Sequence, residues 1–395
     1  MRILIHDFAG HAFQVELSKA LARRGHKVTH AYFAEDPGPK GVMTDFRSGT
    51  GSVKMLPISI GRTYSKSGFL KRFWADMSYR STFIECLNDI ECDLVISSNT
   101  PTWVQGAIIK QCVSSRRGFI FWCQDFYSVA VESVMVDKLG VIGRLVGWYL
   151  KGLDRRHMHQ SDLVVHITER FKVLTDDWGL DSEKISVIPN WGAIAEIPLV
   201  PKDNAWAAEY VKGDRENRVT CALYSGTLGL KHDPSLLEQA SRALPAVNFM
   251  VVGSGIGFDD LSSTSVNLNK LPLQPFERLP EVLATADILI AMIEPDAGEF
   301  SVPSKVLSYL CAGRPIVLSA PSSNLAASIV SEAGAGLVVE PGDTGGFIAA
   351  LKSLSDDPEL AIRMGERGRE YAEANFDIEQ IADKFERLFL SVVKD

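Results

Sequence analysis

The sequence predicts an α/β protein built from two doubly wound domains, each a parallel sheet with helices on both faces. Short apolar, β-branched runs alternate with helical patterns along the whole chain, in two similar halves. Each half opens with a strand, a glycine-containing loop and a helix. The 395 residues allow two or three domains, since one domain takes roughly 100–200 residues. We expect two domains facing each other across a cleft, where α/β sheets bind ligands at the carboxyl ends of their strands.

The first half contains seven predicted strands, at residues 3–6, 27–33, 53–58, 93–98, 119–123, 162–167 and 184–188. Between the first two strands, apolar residues from Phe13 to Leu21 recur at helical spacing. Gly25 then stands where a left-handed helix cap would be needed. The chain therefore opens with a βαβ unit.

The second half contains five predicted strands, at residues 221–225, 249–252, 287–291, 315–319 and 336–339. The last helix begins at Asp377, a good N-cap residue, and carries one apolar stripe. We expect an N-terminal domain at 1–195, a linker at 196–217, a C-terminal domain at 218–376, and a helix at 377–395 that packs back on the N-terminal domain.

The composition is that of a globular protein. Hydrophobic residues make up 46% of the chain and charged residues 23%, which excludes a disordered or fibrous chain. No apolar run approaches the roughly 18 residues of a membrane-spanning helix, and residues 1–7 lack the apolar core of an export signal. The six cysteines form no CxxC pair, so we expect reduced thiols and a cytoplasmic location.

Charge is distributed unevenly between the halves. The net charge of −8 argues against nucleic acid as a partner, and it divides into +3 for residues 1–200 and −11 for residues 201–395. Basic and aromatic residues alternate within residues 62–80, as Arg62, Tyr64, Lys66, Phe69, Lys71, Arg72, Phe73, Trp74, Tyr79 and Arg80. This mixture suits an anionic membrane interface. The alternative is a solvated helix face whose aromatic residues lie in the core.

Three glycine or small-residue loops follow predicted strands in the second half: 226–229, 253–257 and 299–305. Small residues let backbone N–H groups approach phosphate oxygens, and a helix start adds a partial positive charge. Lys231 follows the first loop and Lys305 ends the third, so each can place an ammonium on a diphosphate. The combination predicts a diphosphate site in the second domain.

Six motifs follow one another in an order that is specific to one family. They are residues 23–28 (RRGHKV), 186–190 (SVIPN), 224–229 (YSGTLG), 251–255 (VVGSG), 279–288 (from LP to ADI) and 310–317 (LCAGRPIV). The set resembles the retaining, nucleotide-sugar-dependent glycosyltransferases of the two-domain B-type fold (GT-B), a family that includes glycogen synthases. The resemblance is strongest to the branch that builds bacterial capsule, O-antigen and exopolysaccharide.

The resemblance implies an acceptor-binding N-terminal domain and a nucleotide-sugar-binding C-terminal domain. It implies Asp125, Lys231 and Glu299 as catalytic residues. It implies substrate-binding roles for Gly10, His11, Gly226, Thr227, Gly253, Gly255, Phe300, Ser301, Val302, Lys305 and Ser308. Purely structural roles remain as alternatives: Asp125 as a helix cap, Glu299 as a solvated loop residue, and the glycines as turn residues.

The chain departs from the family pattern at four positions, one of which is Phe300, where relatives carry the first glutamate and which Glu299 precedes by one residue. Ser308 stands where relatives carry a second glutamate, and Thr227 stands where many carry an arginine. Gln124 precedes Asp125 where relatives often have His or Arg. A ribose carboxylate and one phosphate cation are therefore missing, and we expect Lys305 to offset the lost cation.

The resemblance further implies transfer of a hexose or N-acetylhexosamine with retention and without a cofactor or metal. The donor is a nucleotide-diphosphate sugar, with a UDP-sugar expected, and the acceptor is a glycan or a polyprenyl-diphosphate-linked glycan. Two alternatives stay open. A nucleotide-sugar 2-epimerase can share the fold, and a non-enzymatic sugar-binding protein can have two α/β domains.

Overall fold

The computed structural model describes residues 1–38, 40–64, 69–211, 219–229, 234–261, 265–293 and 304–393. Within these ranges the chain forms two compact units. The first unit comprises residues 1–189 and 378–395, and the second unit comprises residues 190–377. No helix of the described ranges is both long and apolar enough to cross a bilayer.

The first unit contains an eight-stranded sheet in the order β3-β4-β2-β1-β5-β6-β7-β8, parallel except for the β3–β4 pair. The strands are β1 Arg2–Asp7, β2 Lys27–Phe33, β3 Phe46–Ser48, β4 Gly51–Ile58, β5 Leu94–Ser98, β6 Gly118–Cys123, β7 Leu163–His166 and β8 Ile185–Val187. The helices up to residue 177 are α1 Ala12–Arg23, α2 Phe69–Asp89, α3 Thr102–Ser114, α4 Tyr127–Leu139, α5 Val141–Gln160 and α6 Phe171–Asp177.

The second unit contains a parallel six-stranded sheet in the order β11-β10-β9-β12-β13-β14. Its strands are β9 Thr220–Thr227, β10 Val247–Ser254, β11 Leu268–Pro272, β12 Ile288–Met292, β13 Ile316–Ser319 and β14 Gly336–Val339. Its helices are α7 Ala205–Tyr210, α8 Ser235–Ala243, α9 Ile256–Asp260, α10 Leu279–Ala284, α11 Ser304–Cys311, α12 Leu325–Ala333, α13 Thr344–Asp356 and α14 Pro358–Asn375.

The predicted α/β class with two doubly wound parallel sheets is confirmed, and the predicted strands are all present. The central strands β5 and β12 are buried along their whole length, because helices cover both faces of each sheet. Strands β3 and β11 were not predicted. Both lie at a sheet edge and are only partly buried, so neither carries an apolar run.

The strand order places a switch point in each sheet. In the first sheet the chain moves outward from β1 through β2 to β4, then returns to pair β5 with the other side of β1. In the second sheet β9 is flanked in the same way by β10 and β12. Helix connections at a switch point leave in opposite directions and open a crevice at the carboxyl ends of the strands. The loops after β1, β5, β9 and β10 are therefore the places to look for ligand-binding groups.

The segment expected as a linker is described as far as Val211, and it packs on the second unit. Trp206 is fully buried, and the Lys202 Nζ atom lies 2.6 Å from the Asp287 carboxylate. The Asn204 side chain caps α7 by accepting a hydrogen bond from the Ala207 N–H. Residues 212–218 lie outside the described residues.

The last helix, α15 Ile378–Val392, belongs to the first unit. The Phe385 ring lies 4.8 Å from the Trp122 ring on β6, measured between centroids. On the α1 side, Arg24 pairs with Glu379, Asp383 and Glu386 of α15. The helix therefore contributes to the core of a unit whose other elements all lie before residue 190.

Candidate active site

Lys305 and the carboxyl end of β9 meet in the second unit. Gly226 has a φ of +125°, and a Cβ atom placed there would lie 2.6 Å from the Lys305 Cε atom. The Lys305 ammonium donates a hydrogen bond to the Thr227 carbonyl at 3.3 Å and lies 5.3 Å from the centre of the Tyr224 ring. The glycine thus makes room for the lysine chain, which sequence analysis assigned to a separate loop.

The Lys305 side chain is partly buried, which affects its charge. Desolvation by burial lowers the pKa of Lys305 to about 8, because a charged amine loses hydration there. An anion beside the ammonium would favour the charged form and raise this pKa. Lys305 is therefore a cation that a neighbouring anion would stabilise.

The end of β10 and the loop after it pack directly on the end of β9 and the loop that follows β9. A Cβ atom at Gly253 would lie 2.4 Å from the Gly226 carbonyl oxygen. Gly255 has a φ of +106°, and its Cβ would lie 2.8 Å from the Leu228 carbonyl oxygen. The Leu228 N–H donates to the Ser254 carbonyl at 2.8 Å. Backbone approaches this close require glycine, and they bring Gly226, Gly253 and Gly255 to one edge of the sheet.

Tyr309 fixes α11 against the end of β9. Its hydroxyl accepts a hydrogen bond from the Ser225 N–H at 2.9 Å and donates to the Ser225 carbonyl at 3.1 Å. Ser308, its neighbour on α11, is half-buried and lies three residues after Lys305, a spacing that puts both side chains on one helix face. The structure therefore groups Gly226, Thr227, Gly253, Gly255 and Lys305, with Ser308 on the adjoining helix.

Five of the predicted site residues lie outside the described residues. They are Lys231, Glu299, Phe300, Ser301 and Val302.

In the first unit, Asp7 organises the loop after β1. Its buried carboxylate accepts hydrogen bonds from the backbone N–H groups of Ala9, at 3.2 Å, and His11. The His11 Nδ1 atom lies 3.2 Å from Oδ1 of the same carboxylate, and the Asn99 side-chain amide donates to it at 3.1 Å. Gly10, with a φ of +77°, allows the loop to turn back. The His11 ring, about one third exposed, is thereby held at the carboxyl end of β1.

The Asp7 carboxylate stays ionised. Burial alone would raise its pKa, but the charge of His11 and the hydrogen bonds from His11 outweigh burial and lower the pKa to about 2. Asp7 therefore presents a fixed negative charge behind His11.

Asp125 lies at a polar cavity beside this loop. The cavity is lined by Ser97, Ser98, Asn99, Thr100, Gln105, Phe121, Trp122, Gln124, Asp125, Tyr127, Asp154 and Met158. Asp125 is exposed. Asp154 is buried, accepts from the Thr102 hydroxyl at 2.9 Å, and has its pKa raised to about 6 by burial. Asp125 therefore lies at the rim of a small cavity that both polar and apolar side chains line.

Sequence analysis did not assign Asp7, Asn99 or Asp154 to the site. A signal existed for two of them, because Asp7 ends β1 and Asn99 follows β5, and polar groups after neighbouring parallel strands meet at one sheet edge. Asn99 also has a positive φ, 55°, which asparagine tolerates better than most residues. Asp154 lies inside a long helix, where only the folded structure reveals its position.

The basic and aromatic stretch at 62–80 is not a single surface. Tyr64 and Tyr79 are buried in the core, as the alternative interpretation holds. Arg72 is largely buried and its guanidinium lies 5.1 Å from the centre of the Tyr127 ring. The exposed members of the stretch are Arg62, Lys71, Trp74 and Arg80, and Lys66 lies outside the described residues.

Two protein-family models match the chain. The model described as Glycosyltransferase Family 4 matches residues 13–191, and the model described as Glycosyl transferases group 1 matches residues 223–357. The first contains Asn99 and Asp125 but begins after Asp7, Gly10 and His11, and the second contains Gly226 and Lys305. The matched segments therefore include most of the residues grouped above.

Two curated relatives match in part. WcaI of Escherichia coli K12, named as a colanic acid biosynthesis glycosyl transferase, is 26% identical over 260 residues, which is 62% of this chain and 62% of WcaI. A mannosyltransferase of Corynebacterium glutamicum, named as GDP-mannose-dependent and acting on a monoacylated phosphatidylinositol monomannoside, is 28% identical over 204 residues, which is 49% of this chain and 52% of that protein. The chain thus spans about half to three fifths of the length of these relatives.

A solved structure extends the likeness over the whole fold. HepE of Anabaena, solved with UDP and glucose, superposes with a TM-score of 0.69 at 13% identity, covering 99% of this chain and 100% of HepE. At this identity the comparison supports the fold alone. Together with the two family models, it shows that this chain belongs to the group 1 glycosyltransferases and has the GT-B fold.

Proposed function

We propose that the protein is a hexosyltransferase that moves a hexose or N-acetylhexosamine from a nucleotide-diphosphate sugar to a glycan or lipid-linked acceptor, with retention, in bacterial surface polysaccharide synthesis. The observation that carries the proposal is the packing of Lys305 against Gly226, beside the Gly253 and Gly255 loop. A cation and close backbone approaches at one sheet edge are what a diphosphate requires.

The chemistry follows from the charges. The anomeric C–O bond breaks and leaves the electron pair on the nucleoside diphosphate, while the acceptor oxygen bonds to the anomeric carbon on the same face. The departing phosphate takes the acceptor's proton. Lys305 stabilises the charge that develops on the diphosphate, and preorganised donors of this kind contribute several kcal/mol, about 2.7–4 for one donor. Asp125 and the His11 loop orient the acceptor.

The donor we propose is a UDP-sugar, supported by the UDP and glucose found with HepE. The name of the Corynebacterium relative gives GDP-mannose instead, so the base is tested directly. A thermal-shift screen compares UDP, GDP and ADP. A ligand at about 100 times its Kd stabilises the native state by about 2.7 kcal/mol, and we expect UDP to produce the largest shift. If UDP, GDP and ADP all leave the melting temperature of the protein unchanged, the proposed diphosphate site is contradicted.

The acceptor we propose is a polyprenyl-diphosphate-linked glycan at the inner face of the cell membrane, with the protein in the cytoplasm. The name of WcaI supports a place in surface polysaccharide synthesis. Labelled UDP-sugars are incubated with lipid-linked glycan extracts, with and without EDTA. We expect transfer that EDTA leaves unchanged, since lysine and backbone amides hold the diphosphate. Interconversion of the donor sugar without any acceptor would instead indicate the epimerase.

A further inference from the structure

One helix of the first unit presents a large apolar face to solvent. Six residues of the segment 139–149 are each more than half exposed: Leu139, Val141, Ile142, Leu145, Trp148 and Tyr149. Val141, Leu145 and Trp148 follow the spacing of a single helical stripe. Monomeric proteins rarely expose contiguous apolar patches beyond a few hundred Å². We call these six residues the α5 face; five of them lie on α5, and Leu139 ends α4.

The opposite side of α5 already makes the contacts that hold the helix in place. A Cβ atom at Gly143 would lie 2.1 Å from the Met135 carbonyl oxygen, and one at Gly147 would lie 2.5 Å from the Glu132 Cβ atom. Leu150 is buried on this side. Because α4 and α5 pack through glycines, the α5 face is not needed for the core.

The aromatic rings continue from α5 to α2. The Tyr149 ring lies 6.2 Å from the Trp103 ring, and Trp103 lies 5.6 Å from Phe73, measured between centroids. Phe73 contacts Trp74, which is 66% exposed. Tryptophan and tyrosine are enriched at the level of lipid headgroups, where one part of the ring is wet and the other apolar.

Residues 139–153 of this surface and residues 69–75 are basic, although Lys151 is paired with Glu132 of α4. Residues 139–153 contain Arg144 and Lys151 and no acidic residue, and residues 69–75 contain Lys71 and Arg72 and no acidic residue. The acidic residues that follow each segment, Asp154 and Asp76, are buried. A second copy of the chain would bring like charges together, whereas anionic headgroups would pair with Arg144 and Lys71.

We propose that the α5 face docks the first unit on an anionic lipid surface, with Trp148 and Leu145 inserted at the headgroup level and Arg144 on the phosphates. The surface is centred on α5 and shares only Lys71, Phe73 and Trp74 with the stretch at 62–80, for which sequence analysis left a membrane interface and a solvated helix face open. The proposal goes beyond the transfer reaction, since docking is measured without donor or acceptor.

The full chain is floated with vesicles of phosphatidylcholine alone and with vesicles of equal parts phosphatidylcholine and phosphatidylglycerol. We expect binding to the anionic vesicles that weakens as salt rises. Leu145→Glu is expected to lower the bound fraction by about tenfold or more, because buried apolar area and attraction to anionic lipid both set the affinity. The matched control is Leu390→Glu, since Leu145 and Leu390 are both 62% exposed on helices of the first unit.

A second pair repeats the comparison: Ile142→Glu on the α5 face, and Ile362→Glu on α14 of the second unit. Melting curves confirm that each variant is folded. The proposal is overturned if the wild type does not bind anionic vesicles, or if the α5-face variants bind them as well as their control variants do. One further result would overturn the proposal: light scattering shows a dimer, Leu145→Glu dissociates that dimer, and the wild type does not bind vesicles. The α5 face would then join two copies of the chain.

Discussion

At the scale of single residues, each unit has its own ionisable group of interest. Lys305 is a cation that burial makes easy to neutralise, and Asp7 is a carboxylate that its partners keep ionised. Their pKa values move in the direction that suits their proposed tasks. Lys305 gains a partner when phosphate binds, whereas Asp7 already has its partners in place.

Replacing Lys305 by methionine removes the charge and keeps the chain length. We expect UDP to bind about tenfold to a hundredfold more weakly, because a hydrogen bond to a charged group contributes about 1.5–3 kcal/mol. Calorimetric titration measures the effect. Lys352→Met, at an exposed lysine of α13 that pairs with Asp356, is the control and should bind like the wild type. Equal affinities in the two variants would remove Lys305 from the site.

The pKa of Lys305 also predicts a pH dependence. The ammonium is protonated below about pH 8 and neutral above it, so UDP affinity should fall as pH rises through 8 in the wild type and stay flatter in Lys305→Met. The folded-state pKa lies below the ordinary value of 10.5, so the ammonium costs stability below about pH 8, and this cost disappears as pH rises towards 10.5. The ligand-free Lys305→Met protein should therefore melt higher than the wild type at pH 7. A lower melting temperature would contradict the desolvated lysine.

Replacing Asp7 by asparagine tests the loop after β1. The variant loses the charge that holds His11 while nearly preserving shape, so we expect the KM for the acceptor to rise more than kcat falls. We also expect a loss of about 1–3 kcal/mol of stability, because buried donors lose a charged acceptor. In the wild type this contribution is present above the unfolded pKa and is lost only as pH falls towards 2. Steady-state kinetics and urea unfolding measure the two effects, and wild-type values in both would exclude a positioning role.

At the scale of elements, the site depends on where loops leave the strands. Gly226, near the end of β9, has a positive φ and faces Lys305, whereas a Cβ at Gly229, in the loop that follows, would meet no atom of the described residues within 4 Å. Glycine is therefore required at position 226, where it leaves space for Lys305, and is not required for space at position 229. Only the folded structure distinguishes them, because both glycines belong to one motif in the sequence.

This difference predicts the outcome of two alanine substitutions. Gly226→Ala must displace the Lys305 chain and adopt a backbone conformation that costs about 1–2 kcal/mol for an L-residue, so UDP binding should weaken as strongly as in Lys305→Met. Gly229→Ala keeps its amide and should change little. Titration of both variants with UDP is the measurement. Equal effects of the two substitutions would show that the space beside Lys305 is unimportant.

At the scale of the whole molecule, the chain leaves the first unit at residue 189 and returns to it at residue 378. The returning helix α15 is part of the core, because Phe385 and Phe389 are fully buried. Phe385→Ala should destabilise the first unit by about 3–5 kcal/mol, as other buried aromatic truncations do. Leu390→Ala, on the exposed side of α15, should cost less than about 0.5 kcal/mol. Urea unfolding followed by the fluorescence of Trp122, which contacts Phe385, reports the effect, and a small loss in Phe385→Ala would show that the helix is dispensable.

The sequence by itself determined the α/β class, the two sheets and the glycine loops, because strand–helix alternation and backbone freedom are written in local patterns. It also identified Lys305 and Gly226 separately. Only the tertiary structure decided that these two residues touch, that Asp7 holds His11, that Tyr64 and Tyr79 are core residues, and that the apolar side of α5 faces solvent. Each of these depends on which residues distant in the chain come together and on which face of an element is covered, and a local pattern specifies neither.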